Sequence, residues 1–292
     1  MLSKNCAICD SKEFRSVLEI TNPDRFEVAV GISNTEYSRF WLECKICGSA
    51  TNFHTKANLS KIQSLGENYY EVDFGNIHLK SRYDSIMNLP FGKSDNRGRV
   101  DRVREMLRDW HDQTGENNKE NETKRVLDIG AGLGVFLSCF LDENWVGDAV
   151  EPDPNAADHL RLISDGNESF NVHQGIFTGQ SEFQDYDLIT LNKVVEHVED
   201  PVSLLKSIHA ALKNPTGLVY IEVPDKLTIY CRPADDNILG SLHYNLYDPG
   251  SLAKLFEVSR FDPIKIGRIL EPSGKISCYG FAVSRGNLEH IY

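Results

Sequence analysis

The sequence predicts an α/β fold in which helices cover both faces of a mostly parallel sheet, preceded by a small N-terminal unit built around four cysteines. In residues 124–292, short apolar strands alternate with helical segments, a spacing that favours a parallel sheet. Two final strand-like runs flank a glycine turn, which indicates an antiparallel hairpin at the end of the sheet. Before residue 60, two Cys-x-x-Cys pairs lie among short strand-like pieces.

Each element follows from the period of its apolar residues and from the turn residues beside it. Strands are predicted at Ser16–Ile20, Phe40–Glu43, Val126–Ile129, Trp145–Val150, Phe170–His173, Tyr186–Leu191, Leu218–Val223, Ile264–Ile269 and Cys278–Val283. Residues 58–112 look mainly helical, and further helices are predicted at Val135–Leu141, Asn155–Ile163, Pro201–Lys213 and Pro249–Val258. Gly274 lies in the turn of the predicted hairpin.

A polar stretch over residues 112–123 contains no apolar side chain, which indicates a solvated loop and a domain boundary. We therefore predict three parts. These are a zinc-binding domain over residues 1–60, a helical connecting segment and linker over residues 61–123, and an α/β domain over residues 124–292.

The bulk composition excludes several classes of protein. The chain has 292 residues, of which 40% are hydrophobic, and no stretch approaches the roughly 20 apolar residues that span a bilayer. The N-terminal residues lack the apolar core of a signal peptide, so we expect a cytoplasmic protein without a membrane segment. A net charge of −12 disfavours a nucleic-acid partner, because phosphate neutralisation requires a basic surface.

A glycine-rich turn after the first strand of the α/β domain is the strongest motif. Gly130, Gly132 and Gly134 follow Asp128 directly, and glycines at a strand-to-helix turn let the backbone approach a ligand closely. Glu151 ends the next predicted strand, where a carboxylate can bind both ribose hydroxyls of an adenosyl ligand. The glycine pattern alone is equally compatible with a nicotinamide dehydrogenase or with a doubly wound scaffold.

Four segments together resemble the motif set of the class I S-adenosylmethionine methyltransferases, which have a Rossmann-like fold. They are Val126–Gly134, Glu151–Asp153, Tyr186–Ile189 and Val195–Pro201, and the resemblance covers roughly residues 97–285. The aspartate before the glycines and the Glu-His-x-x-Asp-Pro run are not expected of a dehydrogenase. The closing antiparallel hairpin is also what this family implies.

The resemblance implies a role for each residue of the cofactor site. Asp128 would lie under the methionine part of S-adenosylmethionine, together with Gly130, Ala131 and Gly132. Glu151 would take the ribose. Residues 175–177, with Ile176 at their centre, would flank the adenine, and Asn192 would face the sulfonium.

The two Cys-x-x-Cys pairs predict a zinc site. Four thiolates are the ligands that tetrahedral structural Zn²⁺ favours, and a full thiolate set leaves no open position for catalysis. The ligands are Cys6, Cys9, Cys44 and Cys47. Iron binds the same ligand set, and ordinary buried cysteines remain the alternative. Residues 1–60 hold seven basic and seven acidic side chains, so this unit has little charge with which to bind a phosphate backbone.

The order of the parts resembles the sugar C-methyltransferases, which act on nucleotide-linked deoxysugars. That family also has a four-cysteine zinc domain, then a tyrosine-containing helical segment, then the methyltransferase fold. The segments that carry the resemblance are Glu67–Tyr70, Val195–His197 and Leu242–Tyr247. It implies that Tyr69 and Tyr70 line the substrate site and that the histidines of the other two segments lie beside the acceptor.

Methyl transfer needs alignment and removal of a proton from the acceptor, for which a histidine is suited. We expect His243 to be the base, with His197 as a second base or a positioning group. Tyr69, Tyr70 and Tyr244 are expected to orient sugar hydroxyls of the acceptor or to stack on a base. The alternative for the histidines is a purely structural role, and for the tyrosines it is core packing.

One residue departs from the pattern of the sugar C-methyltransferases. Leu242 stands where that family has a glutamate before the histidine, and losing this carboxylate disfavours methylation at carbon. We therefore predict methylation of a small polar, sugar-like metabolite at carbon, oxygen or nitrogen. The alternatives are an RNA or protein methyltransferase that uses the zinc domain for recognition, or a catalytically silent module that binds the cofactor.

Overall fold

The fold is given by a computed structural model that describes residues 5–34, 37–63, 78–115, 122–142 and 144–287. The strands are β1 (Phe14–Ile20), β2 (Arg39–Cys44), β3 (Ala50–Phe53), β4 (Lys124–Ile129), β5 (Trp145–Glu151), β6 (Phe170–Gln174), β7 (Leu188–Asn192), β8 (Leu218–Pro224), β9 (Asn245–Leu246), β10 (Phe261–Leu270) and β11 (Ile276–Ser284). The α-helices are α1 (Arg25–Ala29), α2 (Lys56–Gln63), α3 (Leu79–Met87), α4 (Asp95–Thr114), α5 (Val135–Phe140), α6 (Pro154–Ser164), α7 (Pro201–Ile208), α8 (Thr228–Cys231) and α9 (Pro249–Val258).

The larger sheet has seven strands in the order β10-β11-β8-β7-β4-β5-β6. The five strands from β8 to β6 are parallel, and β11 pairs antiparallel with both β8 and β10. Two apolar clusters cover the faces of this sheet, one around Ile189 and Phe256 and one around Trp110 and Leu188. The predicted fold class, a mostly parallel sheet with a closing antiparallel hairpin, is confirmed.

The smaller sheet has the order β1-β2-β3-β9, so its fourth strand comes from the C-terminal half of the chain. Thr51 and Ala50 of β3 pair antiparallel with Asn245 and Leu246 of β9. The N-terminal cysteine unit therefore shares a sheet with the segment that follows β8. The division of the chain at residues 60 and 123 stays a prediction.

The helical boundaries differ from the predicted ones for local reasons. Helix α4 extends to Thr114 and ends at Gly115, whose φ of 73° forms a left-handed C-cap. Helix α7 ends at Ile208 because Leu212 forms a bridge with Tyr186 instead of continuing the helix.

Four short elements, α1, α8, β3 and β9, were not predicted from the sequence. Helix α1 is held by a capping box between Asp24 and Glu27, a signal that was present in the sequence. Strands β3 and β9 are too short to show a period of two. Strand β3 pairs with β2 over four residues, and β9 pairs with β3 over two.

Among the described residues, none of the helices combines the length and the apolar character that crossing a bilayer requires.

Candidate functional site

The glycine turn between β4 and α5 has the backbone geometry that only glycine adopts freely. Gly130, Gly132 and Gly134 have φ values of 70°, 56° and 73°. A Cβ at Gly130 would lie 2.6 Å from Cγ2 of Val194. The turn therefore packs tightly against the segment that follows β7. Glycine is required at position 130 both because a side chain would clash with Val194 and because φ is positive.

Glu151, at the end of β5, holds this turn. Its carboxylate accepts hydrogen bonds from the backbone N–H of Gly132 at 2.8 Å and of Asp153 at 2.9 Å. Burial raises the pKa of Glu151 to about 7, although the two N–H donors favour the ionised form. The carboxylate is thus fixed at the carboxyl edge of the sheet, beside the glycines.

Asp128 is also buried at this edge. Its carboxylate accepts hydrogen bonds from the Thr190 hydroxyl at 2.6 Å and from the Asn192 amide at 3.0 Å. Burial raises the pKa of Asp128 to about 6. The Oδ1 atom of Asn192 is buried and has no hydrogen-bond partner among the described residues, so it remains available as an acceptor for a ligand.

The predicted cofactor residues therefore lie at the carboxyl ends of three adjacent strands, β4, β5 and β7. The N–H of Gly175 donates to the carbonyl of Glu151 at 3.0 Å, so the next residue, Ile176, is close to the end of β5. Ile176 is 71% exposed, which is unusual for a large apolar side chain beside two buried carboxylates. A carboxylate, glycine amides, an unpartnered amide oxygen and an exposed apolar side chain match the chemistry of an adenosyl ligand.

A buried ion network lies under this edge and was not predicted. Glu222 of β8 is fully buried, and it accepts hydrogen bonds from Arg99 at 2.5 Å and Arg102 at 2.6 Å, both on α4. Burial alone would raise the pKa of Glu222, but the charges of Arg99 and Lys193 hold it well below its usual value. The signal in the sequence was a glutamate inside an otherwise apolar strand.

His197 and His243 meet at the same edge of the sheet. His197 closes a single 3₁₀ turn, Val195–His197, that follows β7, and His243 precedes β9. The ring centroids are 4.5 Å apart with an interplanar angle of 65°. The Nδ1 atom of His197 lies 3.0 Å from the carbonyl oxygen of Leu242, and that of His243 lies 2.7 Å from the carbonyl oxygen of Ile238.

Burial controls the ionisation of this histidine pair. It lowers the pKa of His197 to about 4 and, with the neighbouring ring, that of His243 to about 3. Both imidazoles are therefore neutral at neutral pH, and each is a weaker base than a free histidine.

Glu196 lies next to the histidine pair, and the sequence motif implies no role for it. Its side chain is 1% exposed, and neither carboxylate oxygen has a hydrogen-bond partner among the described residues. Its backbone carbonyl accepts from the N–H of Tyr244 at 2.7 Å. Burial raises the pKa of Glu196 to about 7.

The small sheet holds the segment that carries His243. The Asn52 amide donates to the carbonyls of Gly240 at 3.0 Å and His243 at 2.9 Å. The buried Arg39 side chain donates to the carbonyl of Leu239 at 2.9 Å. Leu242 packs its side chain against the apolar cluster of the N-terminal unit and turns its carbonyl to His197.

The tyrosines expected at the acceptor site are placed only in part. Tyr244 lies beside Glu196 and is half-buried, and burial raises its pKa. Residues 67–70, with Tyr69 and Tyr70, lie outside the described residues.

The four predicted metal ligands converge. Sulfur-to-sulfur distances are 3.5 Å between Cys6 and Cys47 and 3.6 Å between Cys9 and Cys44, and all four Sγ atoms lie within 4.8 Å of one another. Tetrahedral zinc with Zn–S bonds of about 2.3 Å requires sulfur atoms about 3.8 Å apart, so the cluster fits the ion. All four thiols are free, and Cys6 and Cys44 are almost fully buried.

Comparison with known proteins finds methyltransferases. A family described as a methyltransferase domain matches residues 100–265, more than half of the chain. The ubiquinone biosynthesis O-methyltransferase of Vibrio vulnificus is 31% identical over 100 residues, which are 33% of this chain and 42% of that protein. The Yersinia enterocolitica protein of the same name is 28% identical over 108 residues, 36% of this chain and 44% of that protein. The chain thus spans about two fifths of the length of these curated relatives.

A solved structure has the same fold. It is the 1,6-didemethyltoxoflavin-N1-methyltransferase of Burkholderia thailandensis, determined with 1,6-didemethyltoxoflavin and S-adenosylhomocysteine bound. The TM-score is 0.50 at 17% identity, covering 86% of this chain and 96% of that chain. With the family match over residues 100–265 and the strand order of the large sheet, the chain belongs to the methyltransferase domain family.

Proposed function

We propose that this chain transfers a methyl group from S-adenosylmethionine to a small polar, sugar-like acceptor. The observation that carries the proposal is the meeting of two sets of side chains at one edge of the sheet. Asp128, Glu151 and Asn192 surround the glycine turn, and the contacting pair of His197 and His243 follows on the adjoining segments. When bound, S-adenosylmethionine supplies an electrophilic methyl group on a sulfonium.

Each of the proposed cofactor residues would contact a different part of S-adenosylmethionine. Glu151 would accept hydrogen bonds from the two ribose hydroxyls with the lone pairs that its two backbone donors leave open. Ile176 would cover the adenine with its exposed apolar side chain. Asn192 would direct its unpartnered Oδ1 toward the positive sulfur, with Asp128 fixing the amide orientation. Gly130, Ala131 and Gly132 would line the methionine part.

The histidine pair supports a proton-accepting role at the acceptor. A neutral imidazole can take a proton, but a pKa of about 3 makes His243 a weak base. Weak basicity suits an oxygen or nitrogen acceptor, which becomes strongly acidic as it takes on the methyl group. Transfer to carbon would require a stronger base and a stabilised enolate. We therefore favour oxygen or nitrogen, with His243 as the base, His197 as its positioning partner, and Tyr70 and Tyr244 orienting the acceptor.

The four cysteines support a structural role for Zn²⁺ in this proposal. Cys6, Cys9, Cys44 and Cys47 would hold the ion and thereby fix the ends of β2 and β3. Strand β3 pairs with β9, two residues beyond His243, so the metal would stabilise the acceptor side of the site without touching the acceptor. The neutral charge of residues 1–60 favours a small molecule over a nucleic acid as the acceptor.

Calorimetric titration with S-adenosylmethionine tests the cofactor half of the proposal. We expect micromolar binding to the metal-loaded full chain and loss of at least tenfold in affinity in Asp128→Ala and Glu151→Ala. A panel of nucleotide sugars with methyl-labelled cofactor then tests the acceptor half. Absence of binding to the folded chain would refute the methyltransferase proposal, and binding without turnover on any acceptor would leave a silent cofactor-binding module.

A further inference from the structure

Three ligand-type side chains meet outside the cofactor turn and outside the four-cysteine cluster. Glu196 and His197 come from the 3₁₀ turn after β7, and His243 comes from the segment before β9. One ligand atom from each residue lies within 4.8 Å of the other two. Three equally spaced ligands bound to one ion at about 2.1 Å lie at most about 3.6 Å apart, so side chains at the outer end of this range would close by about 1 Å on binding.

The ring orientations decide which nitrogen of each histidine carries the lone pair that could bind a metal. The Nδ1 atom of His197 faces the carbonyl of Leu242, and that of His243 faces the carbonyl of Ile238. A carbonyl only accepts hydrogen bonds, so Nδ1 carries the hydrogen in both rings and Nε2 carries the lone pair. Metal-bound histidines in proteins are usually oriented by such a hydrogen bond from the second ring nitrogen.

Glu196 completes the set because it is a buried carboxylate that nothing in the described structure satisfies. Both of its oxygens are buried and unpartnered, a state that is costly for a carboxylate. The neighbouring cations are engaged elsewhere: Arg99 donates to Glu222, and Lys193 donates to the Ser277 hydroxyl at 2.5 Å and forms an ion pair with Glu222 at 3.2 Å. A bound cation would supply the missing partner.

We propose that Glu196, His197 and His243 bind one divalent cation of the transition-metal class. Two imidazoles and one carboxylate suit Mn²⁺, Fe²⁺, Co²⁺ or Zn²⁺, and three protein ligands leave positions open for a ligand. The site is distinct from the four-cysteine cluster, whose thiolates favour a softer, closed coordination. The proposal that the ion binds rests only on these three residues and does not depend on the proposed function.

The role of the ion in transfer rests on the proposed function. With the ion bound, the Nε2 lone pair of His243 is used for coordination, so the ion would replace His243 in the role of activating the acceptor. The open positions would hold an oxygen of the acceptor and stabilise the negative charge left on it when its proton passes to solvent. The resemblance to the sugar C-methyltransferases implies a glutamate before His243, where this chain has Leu242. Glu196 and the ion would supply charge beside His243 in its place. The acceptor class then narrows to molecules that present an oxygen beside the methylated atom.

Binding of Mn²⁺ and of Co²⁺, each alone, to the zinc-loaded full chain tests the site. Free Mn²⁺ is measured by electron paramagnetic resonance, and Co²⁺ by its visible absorption, which shows no thiolate charge-transfer band when only nitrogen and oxygen are ligands. We expect one saturable ion per chain. We expect Glu196→Gln, which keeps the shape of the side chain, and His243→Gln to weaken binding at least tenfold. His173→Gln, a histidine of β6 outside the cluster, should bind like the parent chain.

S-adenosylmethionine binding by the same variants reports whether they are folded. If His243→Gln does not fold, the metal affinity of Glu196→Gln alone tests the site. The proposal is overturned if neither metal binds the parent chain saturably, or if Glu196→Gln binds as tightly as the parent. Neither result depends on turnover, so a chain that binds the ion but methylates none of the tested acceptors would count against the proposed function alone.

Discussion

His197 and His243 are in edge-to-face contact, with ring centroids 4.5 Å apart, although one follows β7 and the other precedes β9. The contact joins the large sheet to the segment that the small sheet holds. It places two neutral imidazoles beside the buried carboxylate of Glu196. The proposed acceptor side of the site is therefore assembled by both sheets, whereas Asp128, Glu151 and Asn192 of the proposed cofactor side all lie on the large sheet.

The first prediction concerns the pH dependence of cofactor affinity. Burial raises the pKa of Glu151 to about 7, and the ribose hydroxyls require an ionised carboxylate to donate to. The affinity for S-adenosylmethionine should therefore fall as pH drops below about 7, approaching tenfold per pH unit. Titration calorimetry between pH 5.5 and 8.5 measures this. Glu151→Gln should bind more weakly and lose the slope; a variant that retains the slope would assign it to another group.

The second prediction concerns the stability of the ligand-free chain. The folded pKa values of Asp128 and Glu151, about 6 and about 7, lie above the ordinary values of 3.8 and 4.5. The folded state thus holds these protons more tightly than the unfolded state. Their contribution to stability is fully present below about pH 4 and is lost as pH rises through about 7.

Chemical denaturation of the metal-loaded chain at pH 5.5 and pH 8 checks this. Saturating S-adenosylmethionine should offset more of the loss at pH 8, because the bound form uses the ionised carboxylate. Glu196 also has a raised pKa, of about 7, so Glu151→Gln removes one of several such groups and should reduce, without abolishing, the difference between the two pH values. An unchanged difference in that variant would contradict the assignment.

The third prediction separates strain from steric clash in the glycine turn. A Cβ at Gly134 would lie 2.6 Å from Cδ2 of Leu160 and 2.9 Å from Cδ1 of Ile163, and the residue has a φ of 73°. Gly134→Ala should lower the free energy of unfolding by about 2–4 kcal/mol and weaken cofactor binding. Gly166 has nearly the same φ, 77°, and nothing within 4 Å of its Cβ position. Gly166→Ala should therefore cost only about 1 kcal/mol, and an equal cost at both positions would mean that the clash relaxes.

The fourth prediction concerns metal removal from the four-cysteine cluster. Chelation, or Cys44→Ser, should expose the backbone of β2 and β3 and, through the pairing of Thr51 with Asn245, that of β9. Hydrogen exchange should therefore rise in residues 39–53 and 239–247 while β4 stays protected. Cys231→Ser, at an exposed cysteine outside the cluster, is the control. Unchanged protection of β9 after complete metal loss would show that the small sheet stands without the ion.

Much of the fold and the cofactor side could be predicted because the signals are local. The alternation of strands and helices gives the large sheet, and Asp128, the glycines and Glu151 lie in two short motifs. The acceptor side depends on pairing between distant residues, which a single sequence does not reveal. Leu242 shows this: it stands where the resemblance to the sugar C-methyltransferases implies a glutamate, but its side chain packs on the N-terminal cluster and its carbonyl lies against His197.

Glu196 escaped assignment for a different reason. Within the motif it precedes His197, and nothing in the residue order distinguishes a solvated glutamate from one buried beside two histidines. Glu222 carried a clearer signal, since a carboxylate inside a run of apolar strand residues requires buried cations. The cations proved to be Arg99 and Arg102 of α4, which the helical spacing of their neighbours did not single out.

The last prediction tests whether the small sheet positions His243. The Asn52 amide donates to the carbonyls of Gly240 and His243, and its backbone N–H donates to the carbonyl of Tyr244. Asn52→Ala would leave two partly buried carbonyls without donors and should cost about 1–3 kcal/mol of stability. Because the proposed cofactor residues are held by the large sheet, the affinity for S-adenosylmethionine should change less than threefold. When an acceptor is known and turnover can be measured, kcat of the variant should be at least tenfold lower than that of the parent chain.

Asn171→Ala, at an exposed position on β6, serves as the matched control and should leave both quantities unchanged. Before an acceptor is known, the affinity for Mn²⁺ provides the readout, because a displaced His243 is a weaker ligand. If Asn52→Ala kept the parent affinity for Mn²⁺ and the parent kcat, the position of His243 would be set by the carbonyl of Ile238 and the contact with His197, and the small sheet would serve stability alone.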